Sequence, residues 1–485
     1  MSFTVNANTS SADLRAAYRA GDTTPVDVLD QTLARADAVS GELNCFAYLN
    51  TDEAMRQAEA SAKRWAAGAP LSDLDGLPIS IKDSVASVGT PWRHGTAPNA
   101  ALPMSTFDAP PAARLKEAGA LIFAKTAMPD FGMLASGVSS LYGIVRNPWN
   151  TSMNTGGSSA GAGASLAAGI GSMSVGSDIA GSVRLPAAHC GLVALKPTQG
   201  RIPHLAPSNV RSAGPMARTV REAAELFAVI SRPDSRDFSS LAPDGEPPAG
   251  PLDAAAVAGL RVGVMCDMGY GFAAHPQVVA TVEAAAELLA AAGAKVTRLG
   301  PVFDDDPYLA LDRLFAVRAR AEWAAFDEDG RARVLPEVVE WCAQADGFDA
   351  VRHEEDQNSV TRSAMRFAAA HEPFDIVLSP VLPGLGHRAE MVGLDSHAPL
   401  GHCSFTCWYN QSGQPAAAIG FGIAQGVPVA VQVAGPRFTD QRVLAVSEWL
   451  EARRSAEFVW PEQPRRAAAL SPGFFARGYT EGDYA

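Results

Sequence analysis

The stretch GSDIAGSVRLP occupies residues 176–186, and a second run of small residues, GGSSAG, precedes it at 156–161. Both runs set serines among glycines, where the backbone turns tightly and its N–H groups are free to bind an oxyanion. Upstream, the segment ISIK at 79–82 alternates, so Ser80 and Lys82 share one face of a predicted strand. Burial among apolar residues lowers the pKa of a lysine and makes its amine a base near neutral pH. The three segments together supply the parts of an acyl-transfer site that needs no histidine.

The composition of the chain restricts its class. It has 485 residues, of which 47% are hydrophobic and 19% charged, which is typical of a globular protein. A net charge of −13 disfavours nucleic acids and anionic membrane surfaces as partners. The first residues lack the basic and apolar regions of a signal peptide, and the six cysteines are scattered without metal-binding spacing. These features predict a cytoplasmic protein with reduced thiols.

Helical and extended patterns alternate along the chain. Helices are predicted at 26–38, 110–118, 160–176 and 281–292. Short strands are predicted at 121–124, 262–264, 295–297, 376–378 and 429–433, of which 121–124 is expected to be buried. The segment 160–176 has too few large apolar residues to span a membrane, so we expect a helix packed closely against other backbone. The alternation favours an α/β fold with a buried, mixed sheet, and the loop rich in Pro at 242–248 is expected to lie on its surface.

Taken singly, each motif has an alternative interpretation. The segment GSSAG at 157–161 fits the pattern GxSxG, in which Ser159 is the nucleophile. That elbow requires a strand directly before it, and residues 147–154 are a poor strand. Lys82 has the alternative of an ordinary ion pair with Asp83. The interpretation therefore depends on the order of the motifs rather than on any one of them.

The order of the motifs resembles the amidase signature family of Ser-Ser-Lys hydrolases: Lys82 comes first, then Ser158 in the GGSS loop, then Ser182. The similarity extends to NPW at 147–149, SVRLPAA at 182–188, GLVALKPT at 191–198, GPMART at 214–219, NQSGQPA at 410–416 and GVPVAVQ at 426–432. It implies an α/β fold in which helices cover both faces of a central mixed β-sheet. It also implies one amidase domain over 1–485, with a signature core at about 70–220, a variable middle section at about 230–375 and a C-terminal core at about 376–460.

The resemblance also implies a role for each catalytic residue. Ser182 is expected to be the nucleophile, and Ser158, in a cis peptide with Gly157, to pass protons between Ser182 and the neutral general base Lys82. The expected oxyanion hole consists of the backbone N–H groups of Ile179, Ala180, Gly181 and Ser182. The reaction implied is hydrolysis of an amide through an acyl-enzyme to a carboxylate and ammonia or an amine, with no metal and no organic cofactor.

Three positions depart from the family pattern. Ala160 and Ala180 stand where glycines are usual, and both keep a small side chain, so we expect activity to survive, with Ala180 narrowing the pocket. His189 stands where the family often has an aromatic residue. It is either part of the substrate pocket or a histidine of the core or surface.

The substrate pocket is expected to come from the segments 128–142 and 382–408, which carry several large apolar side chains. The candidate substrate-binding residues are Met128, Phe131, Tyr142, Asp178 and Trp408. Such a lining indicates a small amide with an apolar or aromatic acyl group. The alternative is that these side chains belong only to the core.

Other functions remain open on the same scaffold. An ester or carbamate hydrolase is one, and a glutaminase-type subunit of a tRNA-dependent amidotransferase is another. The short connection at 199–209 favours a stand-alone amidase over that second function. A non-enzymatic binding protein is disfavoured because all three catalytic side chains are present. We expect a small-molecule amide as the partner, no nucleic acid and no membrane, with a homodimer left open.

Overall fold

Eleven strands form one mixed sheet in the computed structural model, which describes residues 3–242, 250, 252–395, 398–461 and 463–466. The strands of this part of the chain are β1 (Phe46–Leu49), β2 (Pro78–Lys82), β3 (Leu121–Thr126), β4 (Val138–Ser139), β5 (Gly143–Ile144), β6 (Arg146–Asn147), β7 (Asn150–Asn154), β8 (Met173–Asp178), β9 (Val193–Lys196), β10 (Ser212–Ala217), β11 (Arg261–Val264), β12 (Lys295–Arg298), β13 (Ile376–Pro380), β14 (Ala416–Ala424) and β15 (Val427–Ala434). The order across the sheet is β1-β3-β2-β8-β10-β9-β14-β15-β13-β11-β12, while β4 pairs with β5 and β6 with β7.

The helices cover both faces of this sheet. They are α1 (Ser11–Ala20), α2 (Pro25–Leu43), α3 (Thr51–Ala66), α4 (Pro110–Glu117), α5 (Ala160–Ala167), α6 (Arg184–Cys190), α7 (Val220–Ile230), α8 (Ala254–Ala258), α9 (Pro276–Ala291), α10 (Tyr308–Ala324), α11 (Glu328–Arg331), α12 (Pro336–Ala343), α13 (Ala350–His371), α14 (Cys407–Gln411) and α15 (Asp440–Glu451). One face of the sheet packs on α6 and the α10–α14 region, and the other on α4, α7, α9 and α15. The predicted α/β fold with a mixed sheet between helices is confirmed.

Alternation along the central strands produces these two faces. In β14, Ala416 and Ala418 point to the side of α6, and Ala417 and Ile419 point to the opposite side. The residues under α6 are small, so the helix that follows Ser182 lies close to the sheet. The mixed pairing follows from the chain path: β2 is parallel to β3 and β8, whereas β8 and β10 are antiparallel.

Most elements predicted from the sequence are present, with one correction. The predicted helix at 160–176 is wrong in its second half, because α5 ends at Ala167 and β8 begins at Met173. Small residues suit both elements here: they let α5 pack closely, and they let β8 lie buried between two neighbouring strands. None of the described helices has the length and apolar character needed to cross a membrane. Most of the predicted surface loop at 242–248 lies outside the described residues, and the proposed subdivision of the domain stays a prediction.

Candidate active site

Lys82 is the last residue of β2, and its side chain is fully buried. Its Nζ lies 2.8 Å from Ser158 Oγ and 3.2 Å from Ser177 Oγ. The parallel pairing of β2 with β8 makes this contact possible, because both strands end at the same edge of the sheet. The Asp83 carboxylate instead accepts hydrogen bonds from two backbone N–H groups and from the Tyr142 hydroxyl. The alternative in which Lys82 pairs with Asp83 is therefore wrong.

The surroundings of Lys82 favour its neutral form. Burial lowers the pKa of Lys82 to about 7, although the negative charge of Asp178 opposes the shift, and the positive charge of Arg211 adds to it. An ordinary lysine is almost fully protonated at neutral pH. Here a substantial fraction of the amine is free to accept a proton.

The loop that carries Ser158 lies against the loop that carries Ser182. The Gly157–Ser158 peptide bond is cis, and the backbone N–H of Ser159 donates to the Ser182 carbonyl at 3.1 Å. Glycine is required before Ser158, because a Cβ there would lie 2.2 Å from the carbonyl oxygen of Ser136. In the described part of the chain the Ser158 and Ser182 hydroxyls form no direct hydrogen bond. Contacts between catalytic groups are often long until a substrate binds.

Ser159 does not occupy the position of an exposed nucleophile. It is fully buried just before α5, and its Oγ lies 3.4 Å from the Ser177 carbonyl oxygen. The prediction that residues 147–154 are a poor strand is wrong, because β7 pairs with β6 as a short hairpin. A loop still separates that hairpin from Ser159, so the strand-to-helix turn of an elbow is not formed.

The loop before Ser182 has fewer free backbone N–H groups than the predicted oxyanion hole requires. The Gly181 N–H donates to Asp178 Oδ1 at 2.8 Å, and the Ala180 carbonyl accepts from Thr406 Oγ1 at 2.5 Å. The Gly181 N–H is thus occupied in this conformation, because the Asp178 side chain turns back onto its own loop, and its part in the oxyanion hole stays a prediction. Among the described residues, no acceptor binds the backbone N–H groups of Ile179, Ala180 and Ser182.

Asp178 holds this loop through a buried ion pair. Its carboxylate accepts from Arg184 Nη2 at 2.9 Å and Nε at 3.1 Å, and from Asn410 Nδ2 at 2.9 Å. Arg184 Nη1 donates in turn to Gln432 Oε1 at 2.8 Å. Burial alone would raise the pKa of Asp178, but the Arg184 charge and these hydrogen bonds outweigh it and hold the pKa at about 2. All of its acceptor capacity is used within the protein, so the Asp178 carboxylate holds the loop, and its part in substrate binding stays a prediction.

A small cavity of about 10 Å³ adjoins Ser182. Its volume is enough for about one water molecule. The wall includes Met133, Leu134, Phe315, Leu400 and Cys403, together with Ala180 of the loop. No charged side chain is among the described residues that line it. The site therefore presents an apolar surface beside the predicted nucleophile.

The remaining predicted substrate-binding residues lie elsewhere. None of them lines the cavity beside Ser182, and each has its own partner. Met128 packs at Gly132, and Phe131 stacks on Phe326 with ring centroids 6.2 Å apart. The Tyr142 hydroxyl donates to the Asp83 carboxylate, and the Trp408 indole N–H donates to the Tyr270 hydroxyl at 2.6 Å. The predicted pocket segments 128–142 and 382–408 do contribute Met133, Leu400 and Cys403 to the wall of the cavity. The sequence does not predict that Phe315 of α10 lines the cavity, because no motif marks this residue in the variable middle section.

His189 also lies away from the cavity beside Ser182. Its ring is buried on α6, with its centroid 5.7 Å from that of His387. It lines a separate small cavity together with Leu382 and Leu385. Burial lowers the pKa of His189 well below its usual range. In the described part of the chain, no group of three or more His, Cys, Asp or Glu side chains is arranged to hold a metal ion.

Comparison with known proteins decides the family. A family model described as Amidase matches residues 27–444. The chain belongs to the Amidase family. It is similar to one component of the glutamyl-tRNA(Gln) amidotransferase of Synechococcus sp. (strain CC9605), with 30% identity over 94% of this chain and 98% of that protein. The same component from Mycobacterium bovis (strain BCG / Pasteur 1173P2) is 31% identical, with 92% of this chain and 97% of that protein covered.

Solved structures of amidases share the fold. A bacterial aryl acylamidase of the amidase signature family superposes with a TM-score of 0.83 at 25% identity, over 93% of this chain and 97% of that one. A 6-aminohexanoate cyclic dimer hydrolase superposes with a TM-score of 0.82 at 26% identity, over 93% and 98% of the two chains. The fold that the resemblance implied is thus confirmed.

Replacement of Arg184 tests the buried ion pair. We expect Arg184→Met to lower the free energy of unfolding by about 3–5 kcal/mol, because the Asp178 charge is left buried without its partner. Urea denaturation followed by circular dichroism measures the change. Arg56→Met is the matched control, since Arg56 pairs with Glu53 on the surface of α3. That variant should change the free energy by no more than about 1 kcal/mol. Equal, small losses in both variants would contradict the role given to the buried pair.

Proposed function

We propose that the protein hydrolyses a carboxylic amide through an acyl-enzyme formed on Ser182. The observation that carries the proposal is the contact between Lys82 and Ser158. A buried amine with a pKa of about 7 lies 2.8 Å from a serine hydroxyl, in a loop bonded to the backbone of Ser182. Serine is a weak nucleophile until a base removes its proton as it attacks. This arrangement supplies such a base without histidine or a bound cofactor.

The reaction follows from these positions. Lys82 takes a proton from Ser158, which takes one from Ser182 as Ser182 Oγ attacks the amide carbonyl. The oxyanion is stabilised by the unoccupied N–H groups of Ile179, Ala180 and Ser182. Ser158 then returns a proton to the departing nitrogen and regains one from Lys82, and the C–N bond breaks. Water repeats the attack on the acyl-enzyme and releases a carboxylic acid.

The apolar cavity supports a substrate with an apolar or aromatic acyl group. Phe315 of α10 and Leu400 and Cys403 of the C-terminal core close around Ser182. An acyl group larger than a water molecule enters only if these side chains move outward. Transfer of a charged group into such a wall is costly unless it meets a partner. A neutral acyl group is therefore the better match.

The relatives named as components of an amidotransferase keep a second function open. A glutaminase must hold the ammonium and carboxylate groups of glutamine close to the nucleophile. No described residue of the wall around Ser182 supplies a carboxylate for the ammonium group. This favours the stand-alone amidase over the glutaminase-type component.

A substrate panel separates these functions. We expect aliphatic and aromatic amides to be hydrolysed with a kcat/KM at least about tenfold above that for free glutamine, because glutamine must bring an unpaired ammonium group against apolar side chains. Release of ammonia or amine measures the rates. Matched esters and carbamates with the same acyl groups show which bond is preferred. Efficient release of ammonia from glutamine, with the amides inert, would instead support the glutaminase.

Three serine variants test the assignment of the nucleophile. Ser182→Ala should abolish turnover, and Ser158→Ala should lower kcat by about 100-fold or more, because proton transfer to the base is interrupted. Ser159→Ala is the matched control from the same loop and should keep most of the activity. Mass spectrometry after treatment with a serine-reactive phosphonate locates the adduct. Loss of activity in Ser159→Ala, with Ser182→Ala active, would establish the elbow instead.

The pH dependence tests the neutral lysine. Because protonation removes the base, kcat/KM should fall about tenfold for each unit of pH below the pKa of Lys82, about 7, and level off above it. Lys82→Ala should lose the inflection of kcat/KM near pH 7 and keep only a small rate that rises with pH. Initial rates between pH 5 and 10 measure both profiles. A rate that falls as the pH rises through 7 would contradict a neutral lysine base.

A further inference from the structure

Arg211 lies beside the loop that carries Ser182. It directly precedes β10, whose first residue, Ser212, pairs with Asp178 at the end of β8. Its Nη2 donates to the Ala206 carbonyl at 2.6 Å, while its Nε is buried without a hydrogen-bond partner in the described part of the chain. The described residues include no carboxylate within ion-pair distance of this guanidinium. A half-buried arginine next to a catalytic loop thus keeps hydrogen-bonding capacity unused.

The charge of Arg211 reaches the catalytic base. It lowers the pKa of Lys82, of His94 and of His204, so all three groups lie within its electrostatic range. Burial lowers the pKa of Arg211 itself to about 10, and the charge of Arg318 contributes to that shift. Arginine nevertheless stays protonated at neutral pH. Asp178 and Asp83 act on Lys82 in the opposite sense, so Arg211 is one charge among several around this amine.

Arg318 places a second guanidinium near the same site. Phe315 lines the cavity beside Ser182, and Arg318 follows it by one turn on the same face of α10. Among the described residues, Arg318 forms no ion pair either. Glu322, a further turn along, attracts Arg211 electrostatically but is exposed and is not in ion-pair contact with it. Arg211, beside the loop of Ser182, and Arg318, one turn beyond Phe315, thus both lack a carboxylate partner among the described residues.

We propose that Arg211, together with Arg318, binds a carboxylate on the part of the substrate that remains outside the apolar cavity. The inference rests on the proposed amide hydrolysis and narrows its substrate class. The substrate is then an amide that joins an apolar acyl group to an amine bearing a carboxylate. A planar guanidinium suits this role, since it binds a carboxylate with two parallel hydrogen bonds. Arg211 is a specificity residue in this scheme and takes no part in proton transfer.

A pair of nearly isosteric anilides tests the proposal. One is a 4-(acylamino)benzoate with a short aliphatic acyl group, and the other is the corresponding neutral 4-nitroanilide. Dissociation constants are measured by calorimetry in the inactive Ser182→Ala background, so that binding is read without turnover. We expect Arg211→Gln to weaken binding of the benzoate, relative to the nitroanilide, by about tenfold or more. Arg318→Gln should produce a smaller loss of the same sign.

The control comes from the same helix. Arg320 is paired with Asp346 at 2.7 Å and stacks on Trp323, so Arg320→Gln should leave the ratio of the two dissociation constants unchanged. An unchanged ratio in Arg211→Gln would overturn the proposal. A loss of the same size in Arg320→Gln would do so too, because the effect would then be one of general charge. Turnover of the two anilides by the protein with Ser182 intact is measured separately. If neither anilide is cleaved, the proposed amide hydrolysis is contradicted, whereas the ratio of the dissociation constants still tests the role of Arg211.

Discussion

The buried ion pair between Asp178 and Arg184 is the interaction on which the site depends. It joins the end of β8 to the start of α6, and Ser182 lies in the turn between them. Asn410 and Gln432 extend the pair to the C-terminal core of the sheet. A charge without a partner at this depth would be strongly unfavourable, so the turn has little freedom to rearrange. Segments far apart in the chain are thereby held in one position.

Asp178 of this pair also acts on the charge of Lys82, the proposed base. Asp178 attracts a proton to Lys82, whereas burial and the charge of Arg211 oppose protonation. Desolvation is the largest of these effects, so the pKa of Lys82 lies near neutrality. A lysine at the end of a buried strand is then able to act as the base that we propose, although the same residue on a surface would be a permanent cation.

The sequence predicts the core of the site better than its periphery. The positions of Lys82, Ser158 and Ser182 have a local cause in the sequence, namely the alternation at 79–82 and the glycine-rich runs at 156–161 and 176–186. The pocket residues have no such local cause. Met128 and Trp408 are as apolar as Met133 and Leu400, and only the packing of α10 and the C-terminal core decides which of them reach Ser182. Asp178 shows the same limit, because its partners Arg184 and Asn410 come from separate elements.

By itself, the sequence determined the α/β class, the family resemblance and the residues of the predicted triad, because backbone turns and strand alternation are local properties. Only the tertiary structure decided that the Gly181 N–H is taken by Asp178, that Phe315 lines the cavity and that Arg211 lies unpaired near Lys82. Each of these depends on contacts between distant segments. Burial and charge arise only where such segments meet, so the chemical character of the site belongs to the folded chain.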